Sequence, residues 1–565
     1  FTSLMAYDFA QSGLATRVDF PERIRPLNVQ IEVFEGRGDF ASCAEMEFYT
    51  AQSAEVGEAP YADIFTDELY TALRPGSGQM EIDTMRDDFF RSLAQCLLNE
   101  NHALRYRHQS YEVYTPPSTI RKELKVGNYN AFENPTGIAF SAGDTAVLFA
   151  REIPASVPVY LRVRDFAHED NQQDRAYQLT NGQNVIVLEE AGLGYIGYFD
   201  EDLNLADVEI HITGGAVNGY FDWQTSDSTD WVNLLDGEAY SKMDVRGQYT
   251  HLIYDKGALR FGSPFDGHRL IRTYDTIANH ERMMMGMYKY PERQVKNTLL
   301  SRSGFSGGWY AGGLGIHLDL SWGVPSITDP ERLGLWGIAH EFGHVNQIRP
   351  GVTWHGTVEV TTNIYSTWVT YHMNSQQKPY TRLESDVVAP DSESAPIAGG
   401  RINGFLEATQ IRGEALKGAE NYDVFKVLVP FWQLQLYYQL AGAARNAPVL
   451  SLEDPTPDFD TVDYANYFGI VAETMRQSDL EGLTPGELQL HFVRSVCDAV
   501  QEDLTDFFIN TGFLRPINRV IDDYGERQFL ITEAQVEETI DAIKSKEYPA
   551  PVSPVIHYLS AHSLH

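Results

Sequence analysis

The sequence predicts an α+β multidomain chain with a helical N-terminal segment, a β-sandwich, and a mainly helical C-terminal domain. Three observations carry this. Apolar residues recur at helical spacing before about residue 105, the period changes to two between about 121 and 225, and long helical segments return from about 226. At 565 residues the chain exceeds what one hydrophobic core serves, so several domains are expected.

Within 1–120, "TDELYTALRPG" and "MRDDFFRSLAQCLLNENHALRY" carry the helical spacing, and Gly76 and Gly78 punctuate the gap. The stretch "YTPPSTI" (114–120) reads as a linker, because consecutive prolines stop helices and donate no backbone hydrogen bonds. Within 121–225, "DTAVLFAREI", "VPVYLRVRDF", "QNVIVLEE" and "ADVEIHITGG" are short β-branched runs between turn residues. In "VEIHI", Val208, Ile210 and Ile212 fall on one side and Glu209 and His211 on the other, the alternation of a sandwich strand. Within 226–550, "DPERLGLWGIAHEFGHVNQI", "VFKVLVPFWQLQLYYQLAGAA" and "TPGELQLHFVRSVCDAVQEDLTDFFINTG" read as helices. Residues 551–565 are proline-punctuated and read as a tail. No repeat or low-complexity tract is present.

Charge and cysteine usage narrow the functions. The chain has 43 basic and 79 acidic residues, a net charge of −36, so nucleic acid is not expected as a partner. No run approaches the ~20 apolar residues of a membrane helix, and no transmembrane segment is expected. The chain starts at Phe1 without an apolar leader and reads as a mature or trimmed piece whose targeting segment is missing. Cys43, Cys96 and Cys497 are far apart, which excludes a disulfide framework or a thiolate metal site. Any metal must be held by nitrogen and oxygen.

Asp329-Pro330-Glu331 has the composition of a helix start, and Pro350-Gly351 that of a stop. Between them His340 and His344 are four apart, so both imidazoles project from one helix face. Glu341, beside the first, can reach a water without being a ligand. The pattern is H-E-x-x-H on a helix, the arrangement of a zinc site with its general base. Catalytic zinc needs three protein ligands and an open position. Glu359, fourteen residues beyond His344, supplies the third if "TVEVTTNIYSTWV" begins a second helix. Asn363 is one turn further on, where its side chain can accept the free N–H of a ligating histidine.

"HEFGHVNQ" followed by "GTVEVTTNIYS" resembles the enhancin-type zinc metallopeptidases, which include viral enhancins and bacterial mucin O-glycopeptidases. "IHITGGAVNGYFDWQTSDSTDWVNLL", "GGWYAGGLGIHLDL" and "DLTDFFINTGFLRPINRVIDDYG" are similar to further segments of that family. The resemblance implies a gluzincin-like zincin domain, one Zn2+ per chain on His340, His344 and Glu359, and Glu341 as general base. It implies a secreted or cell-surface enzyme, a monomer, that cuts mucin-type O-glycosylated proteins beside modified Ser or Thr. The segment "GGLG" departs from a tyrosine-proline pair common in the family. Trp309, Tyr310, Trp354 and His355 flank the inferred cleft in sequence and are candidates for substrate contact. Tyr310, His355, His317 and Tyr371 are candidates for the donor that meets the oxyanion. A general zinc endo- or aminopeptidase without glycan requirement and a non-enzymatic glycan-binding adhesin with a vestigial metal site are the alternatives.

Overall fold

A computed structural model of the chain describes residues 60–167, 174–373, 382–383, 400–418, 423–442, 466–551, 553 and 556–561. The helical expectation for 1–59 and part of the 551–565 tail lie outside the described residues. Strands β1 (His108–Tyr111), β2 (Pro135–Phe140), β3 (Thr145–Arg151), β4 (Val159–Arg164), β5 (Arg175–Leu179), β6 (Gly182–Val187), β7 (Gly192–Tyr198), β8 (Val208–Ile212) and β9 (Ala216–Val217) form two sheets. Their orders are β1-β8-β3-β6 and β5-β4-β7-β2-β9. Leu148, Leu161, Ile196, Val208, Ile210 and Ile212 belong to the core they enclose.

Upstream come helices α1 (Gln79–Asp83), α2 (Asp88–Leu98) and α3 (Leu104–Arg107). The Asp87 carboxylate caps α2 by accepting the N–H groups of Phe89 and Phe90. "TDELYTALRPG" is not a helix, contrary to its spacing. Asp67 accepts from the Leu69 N–H and the Thr71 hydroxyl, both at 2.9 Å, and this local turn competes with a helix. The turn presents Tyr70 to Phe149 of β3 at 4.6 Å between ring centroids and the Leu69 carbonyl to His211. His211 is therefore fully buried rather than facing solvent. "YTPPSTI" is also corrected: Pro116 is the N-cap and Pro117 the first residue of α4 (Pro117–Leu124), where a missing N–H costs nothing.

Beyond the sandwich lies a six-stranded mixed sheet that the helical reading of 226–550 did not foresee. It contains β10 (Phe221–Asp222), β11 (Lys242–Arg246), β12 (Thr250–Asp255), β13 (Leu299–Gly304), β14 (Tyr310–Gly312) and β15 (Gly315–Asp319), in the order β10-β11-β12-β13-β15-β14. Strands β13 and β15 are buried throughout, so they show no alternation to read. Helices α5 (Ser228–Asp236), α6 (Lys256–Gly262), α7 (Gly267–Met284), α8 (Pro325–Thr328), α9 (Leu335–Asn346) and α10 (Val358–Met373) accompany this sheet. Then follow α11 (Gly400–Leu406), α12 (Val424–Leu434), α13 (Tyr467–Gln477), α14 (Pro485–Val500), α15 (Thr505–Asn510), a hairpin of β16 (Ile517–Asp522) and β17 (Glu526–Ile531), and α16 (Glu533–Lys544). Residues 435–442 continue α12 as a π-helix. No described helix is long and apolar enough to cross a membrane.

Candidate metal centre

Two packed helices and a hairpin build the site. Asp329 ends α8 instead of starting the histidine helix, which begins after Gly334 as α9. Helix α10 forms despite its β-branched sequence because Val360–Thr370 are all buried, and packing outweighs intrinsic propensity. The two helices cross closely at Gly343, where an added Cβ would stand 2.7 Å from the Thr362 Oγ1 and 2.8 Å from the Thr362 carbonyl oxygen. The Thr362 hydroxyl donates to the His340 carbonyl oxygen.

This crossing brings His340, His344 and Glu359 together. His340 Nε2 lies 3.2 Å from His344 Nε2, and Glu359 places one oxygen 3.2 Å from His340 Nε2 and the other 3.4 Å from His344 Nε2. Ligand atoms on a tetrahedral zinc at ~2.0–2.1 Å stand about 3.3 Å apart, so this spacing fits such an ion.

The amides behind the ligands fix their tautomers. Asn363 Nδ2 donates to the Glu359 carbonyl at 2.7 Å, which turns its Oδ1 to His340 Nδ1 at 2.8 Å. Gln347 Nε2 donates to the Val358 carbonyl and Thr361 Oγ1, both at 2.7 Å, which turns its Oε1 to His344 Nδ1 at 3.0 Å. Each Nδ1 is thus the donor, and each Nε2 presents a lone pair to the centre. Two lone pairs and a carboxylate facing one another repel unless a cation lies between them. The donor set fits a metal.

Glu341 is buried, and burial pushes its carboxyl above the ordinary range. The backbone N–H of Ala311, on edge strand β14, donates to it. Burial works to raise Glu359 as well, but the imidazoles of His340 and His344, once an Nε2 proton makes them cationic donors, and the Tyr524 hydroxyl outweigh it and hold that carboxyl far below its usual range. Burial disfavours charge on His340, yet the Glu359 and Glu341 carboxylates beside it raise its pKa. The field at the centre favours positive charge.

The other sequence candidates separate. Trp354 is only 3% exposed and packs on Phe431 and Phe492, so it is a core residue and not a cleft wall. His355 Nε2 donates to the Ile521 carbonyl at 2.8 Å and serves to hold the hairpin. His317 is buried with Nδ1 on the Gly308 carbonyl, and Tyr371 packs against Trp432. Trp309 lies against α9, where Gly337 leaves room for its ring, and Trp322 stacks on its other side. Tyr310 is exposed on β14 and stacked on His317. Sequence reading missed Gln347, legible in principle three residues after His344, and Tyr524, whose hydroxyl donates to Glu359 at 2.6 Å. Nothing in the sequence links Tyr524 to a glutamate 165 residues away.

A family model described as Peptidase M60, enhancin and enhancin-like, matches residues 215–512. The chain belongs to the peptidase M60 family. The hairpin that carries Tyr524 lies beyond the matched stretch. A metallopeptidase from Bacteroides thetaiotaomicron has the same fold, with a TM-score of 0.73 and 21% identity over 88% of this chain and 80% of its own. A second solved structure, a metallopeptidase in complex with Tn antigen, matches with a TM-score of 0.68 and 22% identity over 82% and 81%. A curated relative, TRPM8 channel-associated factor 3 of Rattus norvegicus, is 26% identical over 416 residues, 70% of this chain. The chain spans 39% of that relative's length.

Proposed function

We propose that this M60 chain is a zinc metalloendopeptidase that hydrolyses mucin-like O-glycosylated proteins beside modified Ser or Thr, outside the cell. The carrying observation is the convergence of His340 Nε2, His344 Nε2 and a Glu359 oxygen, with Glu341 buried alongside. A zinc ion held by these three would act as a Lewis acid toward the scissile carbonyl and the attacking water. Glu341 takes the proton of that water and returns it to the leaving amine. Among the described residues strand β14 pairs with β15 on one side only, and Ala311 turns its N–H to Glu341. An extended peptide laid along that outer edge would pass the base with its scissile bond.

The O-glycan part of the reading is supported by the neighbour solved with Tn antigen. Exposed Tyr310 and Trp322 offer ring faces near the edge strand, and sugar rings stack on such faces. Digestion of matched peptides with and without one O-linked GalNAc, read by mass spectrometry, tests this. Cleavage of only the glycosylated peptide is expected. Equal cleavage of both would leave a general zinc peptidase, and cleavage of neither by zinc-loaded protein would favour a glycan-binding role.

A further inference from the structure

Catalysis of the proposed reaction requires a hydrogen-bond donor facing the carbonyl oxygen as it becomes an oxyanion. Of the four residues that sequence proximity suggested, His317, His355 and Tyr371 are committed elsewhere, as described above. The structure assigns the role to Tyr524. We propose that its phenol donates to the developing oxyanion of the bond being cleaved, an inference that rests on the peptidase reading.

Tyr524 occupies the tip of the β16–β17 hairpin with φ +58°, a conformation rare for a residue with a side chain and sustained only where surroundings impose it. The surroundings do. Asp523 accepts the N–H groups of Gly356 at 2.7 Å and Val358 at 3.1 Å, just before and at the start of α10. His355 donates to Ile521 on the same hairpin, and Asp522 accepts the Gly525 N–H at 3.1 Å. These bonds tie the tip to the helix that carries Glu359. The residue is nevertheless 84% exposed while its hydroxyl donates to Glu359.

Its exposure argues against a purely supporting part. The ligand imidazoles are already oriented from the protein side by Asn363 and Gln347, and neither of those amides is exposed. Tyr524 reaches Glu359 from an exposed hairpin tip, where a substrate can meet its hydroxyl. As water adds to the carbonyl carbon, the C=O π pair moves onto oxygen, and a small rotation brings the phenol O–H from Glu359 to that oxygen. The phenol keeps its proton. When the C–N bond breaks, the oxygen's lone pair re-forms the C=O bond, the C–N pair leaves on nitrogen, and Glu341 passes its proton to that amine.

The test compares wild type, Tyr524→Phe and Tyr310→Phe, using a peptide that the wild type cleaves and a phosphinic pseudopeptide that mimics the tetrahedral state. Zinc affinity by chelator competition, kcat, KM and the pseudopeptide Ki are measured on each. For Tyr524→Phe, kcat should fall about 10²–10³-fold, the range for loss of one oxyanion donor. Pseudopeptide affinity should fall with it, while zinc affinity and KM stay within about threefold. Undiminished kcat in Tyr524→Phe, or a larger loss in Tyr310→Phe, would overturn the assignment. So would a weakened zinc affinity with kcat restored by excess zinc, since Tyr524 would then only hold Glu359. Wild-type protein that binds zinc but cleaves no peptide would instead sink the peptidase reading itself, and this inference with it.

Discussion

At the scale of single residues the proposed function divides the site into groups that would react and groups that would aim them. Glu341→Gln keeps the shape and the Ala311 contact but cannot take a proton, so turnover should drop ~10²–10⁴-fold with zinc content unchanged. Turnover within tenfold of wild type would place the base elsewhere. Asn363→Ala removes the acceptor that fixes the His340 tautomer and should weaken zinc retention ~10–100-fold against a chelator. A melting temperature that falls while zinc affinity holds would make Asn363 merely structural. Much of this level was legible, because helical periodicity alone relates His340 to His344 and Glu359 to Asn363. Trp354 was misread because proximity in sequence says nothing about which way a ring faces, and here it faces the core.

At the scale of elements, the close crossing of α9 and α10 sets the spacing of the three candidate ligands. Gly343→Ala would drive a Cβ into the Thr362 hydroxyl and carbonyl, one of them backbone, so α10 must shift. Overpacking of this kind costs about 1–3 kcal/mol, and the shift also moves Glu359. A lowered melting temperature together with weaker zinc binding is expected; unchanged zinc affinity would show that the crossing does not govern the centre. A second contact between elements is titratable. His211 Nδ1 donates to the Leu69 carbonyl, so its Nε2 must accept from His102 Nε2 at 2.7 Å. Burial lowers both imidazoles to about 4, and Arg107 and His108 add positive charge nearby. Folded-state values below the ordinary 6.5 mean that a detached segment binds protons which the docked one refuses. Docking of residues 60–107 on the sandwich should therefore weaken as pH falls from about 6.5 toward 4. Hydrogen exchange of α2, corrected for intrinsic rates, reports it, and protection that does not change between pH 7.5 and 5 would refute the coupling. The sequence showed the sandwich strands by their alternation but not this cover, since the pairing of Tyr70 with Phe149 spans 79 positions and leaves no local period.

At the scale of the whole molecule, charge is the dominant property. A net of −36 repels sialylated or sulfated glycoproteins at long range, and salt screens that repulsion over a Debye length of about 10 Å at 0.1 M. The kcat/KM for a sialylated glycopeptide should rise with NaCl between about 0.01 and 0.2 M, while that for a neutral GalNAc peptide stays flat. A fall with salt on the sialylated peptide would reveal a local basic subsite that overrides the global field. The six-stranded sheet was the largest feature hidden from sequence reading, because strands such as β13 (LLSRSG) and β15 (GIHLD) bury polar and apolar residues alike and so show neither an alternation nor an apolar run. The β16–β17 hairpin was hidden for a different reason: its importance comes from where it lands. Its landing place has a consequence for synthesis. The ribosome makes both histidines, the base and Glu359 well before it makes Asp523 and Tyr524, which brace α10 and reach its carboxylate. A nascent chain that has exposed the entire H-E-x-x-H helix still lacks this brace, and α10 stays unbraced until the 165 residues from Glu359 to Tyr524 have been made.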